Sequence, residues 1–338
     1  MKKVLSILIC ATLLLSTLLL FGCGDKGNTP AETSAPAAEE ATLKLGFGVS
    51  TTVIASNATA DKNGNGQATM TAAAVLVDND GKIVKAVIDC ADSEVAYTAE
   101  GKAVANDSFK TKYELGNDYN MKKYGNAVKE WFEQADAFCA LIVGKTATEV
   151  KALVAEGNKG TQDVINAGCT IVIDEFVKAV DKAIANAVAS NATAKDTLKL
   201  GASTSQSTSD ATADKAGTNQ VETTFFAAAV NAEGKVVAAT SDCVQVKFTF
   251  DTAGASTFDA TKAVSSKKEL GDNYNMKKYS NAISEWYVQA AAFDAACIGK
   301  TVTEIKALMG EDNYAVGDLK ASCTIVVDGF VKAAAKIG

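Results

Sequence analysis

The chain is written twice. Glu114-Leu115-Gly116, Tyr119-Asn120-Met121-Lys122-Lys123-Tyr124, Trp131, Gly144-Lys145-Thr146 and Cys169-Thr170-Ile171-Val172 occur in that order. They return as Glu269-Leu270-Gly271, Tyr274-Asn275-Met276-Lys277-Lys278-Tyr279, Trp286, Gly299-Lys300-Thr301 and Cys323-Thr324-Ile325-Val326. The offset is 155 residues from Trp131 to Trp286 and 154 from Thr170 to Thr324, so the second copy lacks one residue in between. Solenoid units repeat every 20–50 residues or so, and a period this long instead predicts two tandem homologous domains, residues 42–190 and 196–338.

Within each copy, strand signals come first. A short apolar strand opens the copy at Leu43-Lys44-Leu45 or Leu198-Lys199-Leu200, and a Ser/Thr/Asn-rich stretch follows. A hairpin is expected from Ala72–Val77 and Ile83–Asp89 around the turn Asp78-Asn79-Asp80-Gly81-Lys82, where glycine supplies the positive φ. Its twin pairs Phe225–Val230 with Val236–Asp242. Helical periodicity takes over afterwards: Ala127, Trp131, Ala135 and Phe138 recur every three or four residues, as do Ala282, Trp286, Ala290 and Phe293. A further apolar helix is expected to open at Thr170, with Ile171, Phe176, Val180 and Ile184 on one face, although Ile171-Val172-Ile173 also reads as a strand that turns helical. Strands followed by helices predict an α+β fold, each domain an antiparallel sheet with helices packed against it.

The first residues belong to targeting rather than to the fold. Lys2 and Lys3 precede an apolar run from Val4 to Phe21, and Leu20-Phe21-Gly22-Cys23 is similar to a bacterial lipobox. Residues 1–22 are therefore read as a lipoprotein signal peptide and Cys23 as the lipidated residue. Residues 23–41, which hold both prolines of the chain (Pro30 and Pro36), read as a disordered tether. The expected location is the cell membrane, lipid-anchored on its extracellular face.

Composition narrows the chemistry. All 33 cations are lysine, histidine and arginine are absent, and the net charge is −7. Lacking histidine, the chain has no Ser-His triad, no imidazole base and no His-ligated metal. Lacking arginine, it has no bidentate phosphate clamp, and an acidic chain of this kind is a poor partner for nucleic acid. No catalytic or metal-binding set is expected. Six cysteines lie beyond Cys23: Cys90, Cys139, Cys169, Cys243, Cys297 and Cys323. They admit repeat-internal bridges Cys90–Cys169 and Cys243–Cys323, or buried thiols without bonds, and the second is the plainer reading.

Three motifs remain. Gly144-Lys145-Thr146 has the tail of a phosphate-binding loop, but Cys139 and Asp294 stand where its leading glycine belongs, so both copies read as a turn into the next helix. Ala167-Gly168-Cys169-Thr170 and Ala321-Ser322-Cys323-Thr324 place small residues before a threonine that opens a helix. Capping is the plainer role; a phosphate seated on free amides, with Gly168, Cys169, Ser322 and Cys323 letting it approach, is the sharper one. Tyr119 and Met121, with Tyr274 and Met276, either pack at a helix start or line an aromatic pocket.

Together these residues resemble the FMN-binding domain family, above all its tandem-domain lipoproteins of Gram-positive extracellular electron transfer. The likeness runs through both halves, from the Gly81-Lys82 hairpin to the Cys-Thr-Ile segment. It implies one FMN per domain, joined by a phosphoester to Thr170 and Thr324 through a separate flavin transferase. It also implies a membrane quinol or NADH-linked redox complex as donor and extracellular acceptors such as ferric iron or free flavins. The family pattern is Ser/Thr-Gly-Ala-Thr with an aspartate five residues before the threonine. Here cysteine is penultimate, Asp318 lies six before Thr324 and Asp163 seven before Thr170. If one site alone is loaded, the aspartate spacing favours Thr324. The alternative expectation is a lipid-anchored protein without redox activity, either carrying a small ligand or serving a structural role at the surface.

Overall fold

The computed structural model describes residues 41–338 apart from Asp107 and Asn281. The expected signal peptide, Cys23 and nearly all of the expected tether therefore lie outside the described residues. The first half lays down β1 (Lys44–Ser56), β2 (Gly64–Val77), β3 (Ile83–Tyr97) and the short β4 (Ala103–Val104). Then come α1 (Lys112–Leu115), α2 (Met121–Gly125), α3 (Trp131–Ile142), α4 (Ala147–Lys151), α5 (Gln162–Ala167), α6 (Asp174–Ala185) and β5 (Val188–Ala189). The second half repeats the plan with β6 (Thr197–Ser209), β7 (Gly217–Val230) and β8 (Val236–Phe250). Its helices are α7 (Lys267–Leu270), α8 (Met276–Ser280), α9 (Trp286–Cys297), α10 (Val302–Lys306) and α11 (Asp328–Ala334). The fold is α+β. One antiparallel sheet has five strands in the order β4-β3-β2-β1-β5, the other three in the order β6-β7-β8.

The strands are longer than the sequence suggests. The Ser/Thr-rich stretch after Leu45 stays in β1 and pairs with β2 as far as Ser56 opposite Asn65. Its side chains alternate between partly buried and exposed, so polar residues fit the outward positions of a strand. The expected turn at Asp78–Lys82 closes the β2–β3 hairpin, with Gly81 at φ 75°. Each hairpin carries a register shift at the same place, Leu76/Val77 and Ala229/Val230.

Burial along β2 shows how the layers stack. Its first residues alternate, while Met70–Val77 are buried without interruption. A strand buried on both faces must be covered on both. Ala73, Val75 and Val77 face α3 and α6, packing with Trp131, Phe138, Phe176 and Val180. Ala72, Ala74 and Leu76 point the other way, into a core that contains Phe225, Ala227 and Ala229 of β7. β7 divides likewise, with Phe226 and Ala228 on its own helices. The order of layers is helices, sheet, sheet, helices.

The contacts between the halves are reciprocal, as in a two-fold interface. Ala58 N–H donates to Gly254 O and Ala211 N–H to Gly101 O, each at 2.8 Å. Ser256 N–H donates to Asn57 Oδ1 at 2.9 Å, and Ala103 N–H to Asp210 Oδ1 at 3.0 Å. Lys182 pairs with Glu269 at 2.5 Å and Lys336 with Glu114 at 2.6 Å. In each case the two contacts exchange equivalent positions of the two copies. The described residues, from 41 onward, fall within one compact unit.

Candidate functional site

Helix α3 begins later than the apolar stripe implies. Glu130 takes the N-cap and Trp131 is the first helical residue, so Ala127 lies outside the helix; Glu285 and Ala282 repeat this in the second half. Glu130 is buried, and its carboxylate accepts the N–H of Met121 at 2.8 Å and of Lys122 at 3.2 Å. Glu285 does the same for Met276 at 2.8 Å and Lys277 at 3.3 Å. A carboxylate, buried at Glu130 and half-buried at Glu285, thus holds the Asn-Met-Lys-Lys turn against the start of the long helix in each half.

One turn further on lies Gln134, 1% exposed. Its Oε1 accepts both the N–H of Thr170 (2.8 Å) and its hydroxyl (3.1 Å). Its amide nitrogen donates to Lys129 O at 3.0 Å and to Met121 Sδ at 3.4 Å. Gln289 makes the same four contacts in the second half: Thr324 N–H at 2.8 Å, its hydroxyl at 3.0 Å, Ser284 O at 2.8 Å and Met276 Sδ at 3.7 Å. One buried amide therefore ties together the Met turn, the helix start and the Thr loop, with both ends of the amide satisfied.

The Thr loop is irregular, not helical, with bends at Ile171 and Ile325. Helix α6 starts at Asp174 and α11 at Asp328, with N-cap positions Ile173 and Val327 that make no side-chain cap. The expectation that Thr170 and Thr324 open or cap a helix is corrected. Gln134 takes the Thr170 hydroxyl and amide, and a bridge from Val172 to Lys159 ties down the segment ahead of the helix; Val326 and Tyr314 form the equivalent bridge. The strand-like reading of Ile171-Val172-Ile173 is the closer one. Alternation along the segment buries Cys169 and Ile173 and leaves Thr170 and Val172 exposed.

The other anticipated residues divide. Met121 and Met276 belong to the Gln–Thr network. Tyr119 and Tyr274 belong to a neighbouring cluster, where a lysine lies over two aromatic faces: Lys112 is 5.1 Å from the Tyr119 centroid and 5.9 Å from that of Trp131. Lys267 stands 5.2 Å from Tyr274 and 5.3 Å from Trp286. Its counter-ion is Glu222 at 2.8 Å, whereas Lys112 uses Asp92 at 3.5 Å. Asp92 sits opposite Thr69, and Glu222 opposite Gln245, so the carboxylate has changed strands between copies.

Cys169 and Cys323 turn into the core, and burial pushes each thiol up to about 11. All six cysteines of the two halves are free and buried. Gly168 has φ 99°, and a Cβ there would lie 2.2 Å from Lys129 Nζ. Ser322 takes an ordinary right-handed conformation with φ −118°. The missing residue is absorbed just here. The six residues of α5 are replaced by a five-residue 3-10 helix, Gly317–Ala321, whose rise of about 2.0 Å per residue, against about 1.5 Å, spans the same distance. Asp163 and Asp318 occupy the first turns of these segments and are exposed.

Gly144-Lys145-Thr146 and its twin are turns into a helix, as expected. Thr146 caps α4 and Thr301 caps α10, each in a capping box with a glutamate three residues on. A cleft of about 160 Å³ in the second half is lined by Glu222, Trp286, Val326 and Asp328, among others. Neither this cleft nor a larger cavity of about 380 Å³, bounded by Phe47, Asn186, Asp242 and Lys268, includes Thr170 or Thr324 in its lining.

Gln134, Gln289, Glu130 and Glu285 were not singled out from sequence. Their signal was a polar residue next to an apolar stripe at the same place in both copies. Comparison of the chain with known protein families, with curated proteins and with solved structures found no match.

Proposed function

We propose that the two halves are homologous flavin-binding domains in tandem and that the protein is an electron carrier of the outer membrane face. It would be anchored through lipid at Cys23 and hold one FMN on Thr170 and one on Thr324. Bound flavin would supply the redox chemistry, in one- or two-electron steps; the protein supplies attachment, orientation and charge. Electrons would enter from a membrane quinol or NADH-linked complex and leave to acceptors outside the cell.

The observation that carries this reading is the repeated Gln–Thr clamp. Each threonine is exposed, yet its amide and hydroxyl are fixed by a buried glutamine oxygen. The hydroxyl proton is directed inward to that oxygen, which turns the Oγ lone pairs outward. Attachment needs a donor in which the FMN phosphate is activated as an anhydride, as in flavin adenine dinucleotide. Thr Oγ would bond to the FMN phosphorus, the anhydride P–O bond would break, adenylate would leave, and the hydroxyl proton would be released to the transferase.

The surroundings fit a tethered aromatic group. Tyr124, Val128 and Val172 are 75%, 82% and 52% exposed; their equivalents Tyr279, Ile283 and Val326 are 77%, 51% and 49% exposed. Single exposed apolar side chains are ordinary, but the same three positions kept bare in both copies point to a surface that is used.

The test is co-expression with a flavin transferase. The purified protein should stay yellow after denaturation, and Thr170→Ala with Thr324→Ala should leave it colourless. A protein that stays colourless and takes up no added FMN supports the structural or non-redox alternative.

A further inference from the structure

We infer that Lys129 is the phosphate-positioning residue of the Thr170 site and that the Thr324 site has no counterpart to it. This rests on the flavin reading above and concerns which site is loaded first.

The two sites agree in nearly every group. Gln134 and Gln289, Glu130 and Glu285, and Met121 and Met276 make matching contacts. Lys122 and Lys123 recur as Lys277 and Lys278. The difference falls at Lys129, whose equivalent 155 residues on is Ser284. Lys129 is held by its backbone, since its carbonyl accepts from Gln134, the residue that clamps Thr170. Its ammonium lies against Gly168, close enough that a Cβ there would be 2.2 Å from Nζ. Gly168 adopts φ 99°, a conformation other residues rarely take, and the second copy has Ser322 in its place. A lysine and a glycine that admits it are thus exchanged together for two serines.

Among the described ion pairs, none involves Lys129. An extended chain advances up to about 3.6 Å per residue, so Thr170 lies within about 7 Å of Gly168 along the backbone. A flexible ammonium at Gly168 can therefore meet an anionic phosphoester carried on Thr170 Oγ. At such a separation near a surface, an opposite charge raises both encounter and retention of the anion, and salt weakens the effect. This electrostatic order of loading is opposite to the one expected from the aspartate spacing, which favours Thr324.

The experiment loads the protein with a flavin transferase and a limiting dinucleotide donor, then quantifies the modified fraction of each threonine peptide by mass spectrometry. The expected result is faster loading of Thr170 than of Thr324. Lys129→Ser should lower Thr170 loading several-fold without changing Thr324, and Lys129→Arg should preserve it. Ser284→Lys should raise Thr324 loading, which no merely structural role of Lys129 can produce. Added salt should slow Thr170 selectively. If both threonines load and the ratio is indifferent to all three substitutions, the role of Lys129 is overturned while the flavin reading stands. If neither threonine gains mass in any variant, the flavin reading fails and this inference with it.

Discussion

Tyr97 and Phe250 stack face to face, with ring centroids 4.4 Å apart and planes 6° from parallel, and they are the same position of the two copies. A residue can meet its own equivalent only on the axis that relates the halves. Around that axis the sheets share one core, in which Phe47 and Phe225 lie 5.7 Å apart. An interface built this way couples the stability of the two halves.

One cooperative unfolding transition is therefore expected. The chain has two tryptophans, one in each helical layer, so Trp131→Phe and Trp286→Phe each leave a reporter for one half. Both reporters should melt at the same midpoint. Phe250→Ala should cost about 3–5 kcal/mol and shift both reporters together. Two separate transitions, or a loss confined to the second half, would contradict a shared core.

Much of this was legible in the sequence and some was not. The duplication, the α+β order and the hairpin turns could all be read directly. Helix α6 starts later than the pattern suggests, because Thr170 followed by Ile171-Val172-Ile173 looks like a capped apolar helix; only the Gln134 contact and the Val172–Lys159 bridge reveal a non-helical loop. Gln134 itself passed unnoticed, since one polar residue in a helix is usually tolerated rather than required. The sheet-to-sheet core was hidden because alanines such as Ala72 and Ala74 do not announce which partner covers them.

Removing the clamp should be felt locally. Gln134→Leu keeps the volume but deprives Thr170 of its acceptor and leaves Lys129 O without its donor. The expected cost is about 1–3 kcal/mol. Amide exchange at Thr170 should accelerate while Thr324 remains protected by Gln289. An unchanged exchange rate at Thr170 would show that the contact does not hold the loop.

Asp89 sets a pH dependence. It is buried, and desolvation raises its pKa from the ordinary 3.8 to about 6, against the opposing bonds from the Thr111 hydroxyl and from the amides of Cys90 and Tyr113. The native state therefore holds a proton between pH 4 and 6 that the unfolded chain releases. Stability from this group is present below about pH 4 and falls as pH rises through 6, by about 2–3 kcal/mol in total. Asp89→Asn should abolish that portion of the decline, so the gap between variant and wild type grows from pH 4 to 6 and is then constant. A gap that does not change with pH would assign Asp89 no such role.

The most direct measurement is the intact mass of the full chain, purified under denaturing conditions after co-expression with a flavin transferase and followed by peptide mapping. The expected result is a gain of two FMN groups, each less one water, one on the peptide containing Thr170 and one on that containing Thr324. A mass equal to that of the polypeptide with its lipid alone, with both threonine peptides unmodified, would contradict covalent attachment.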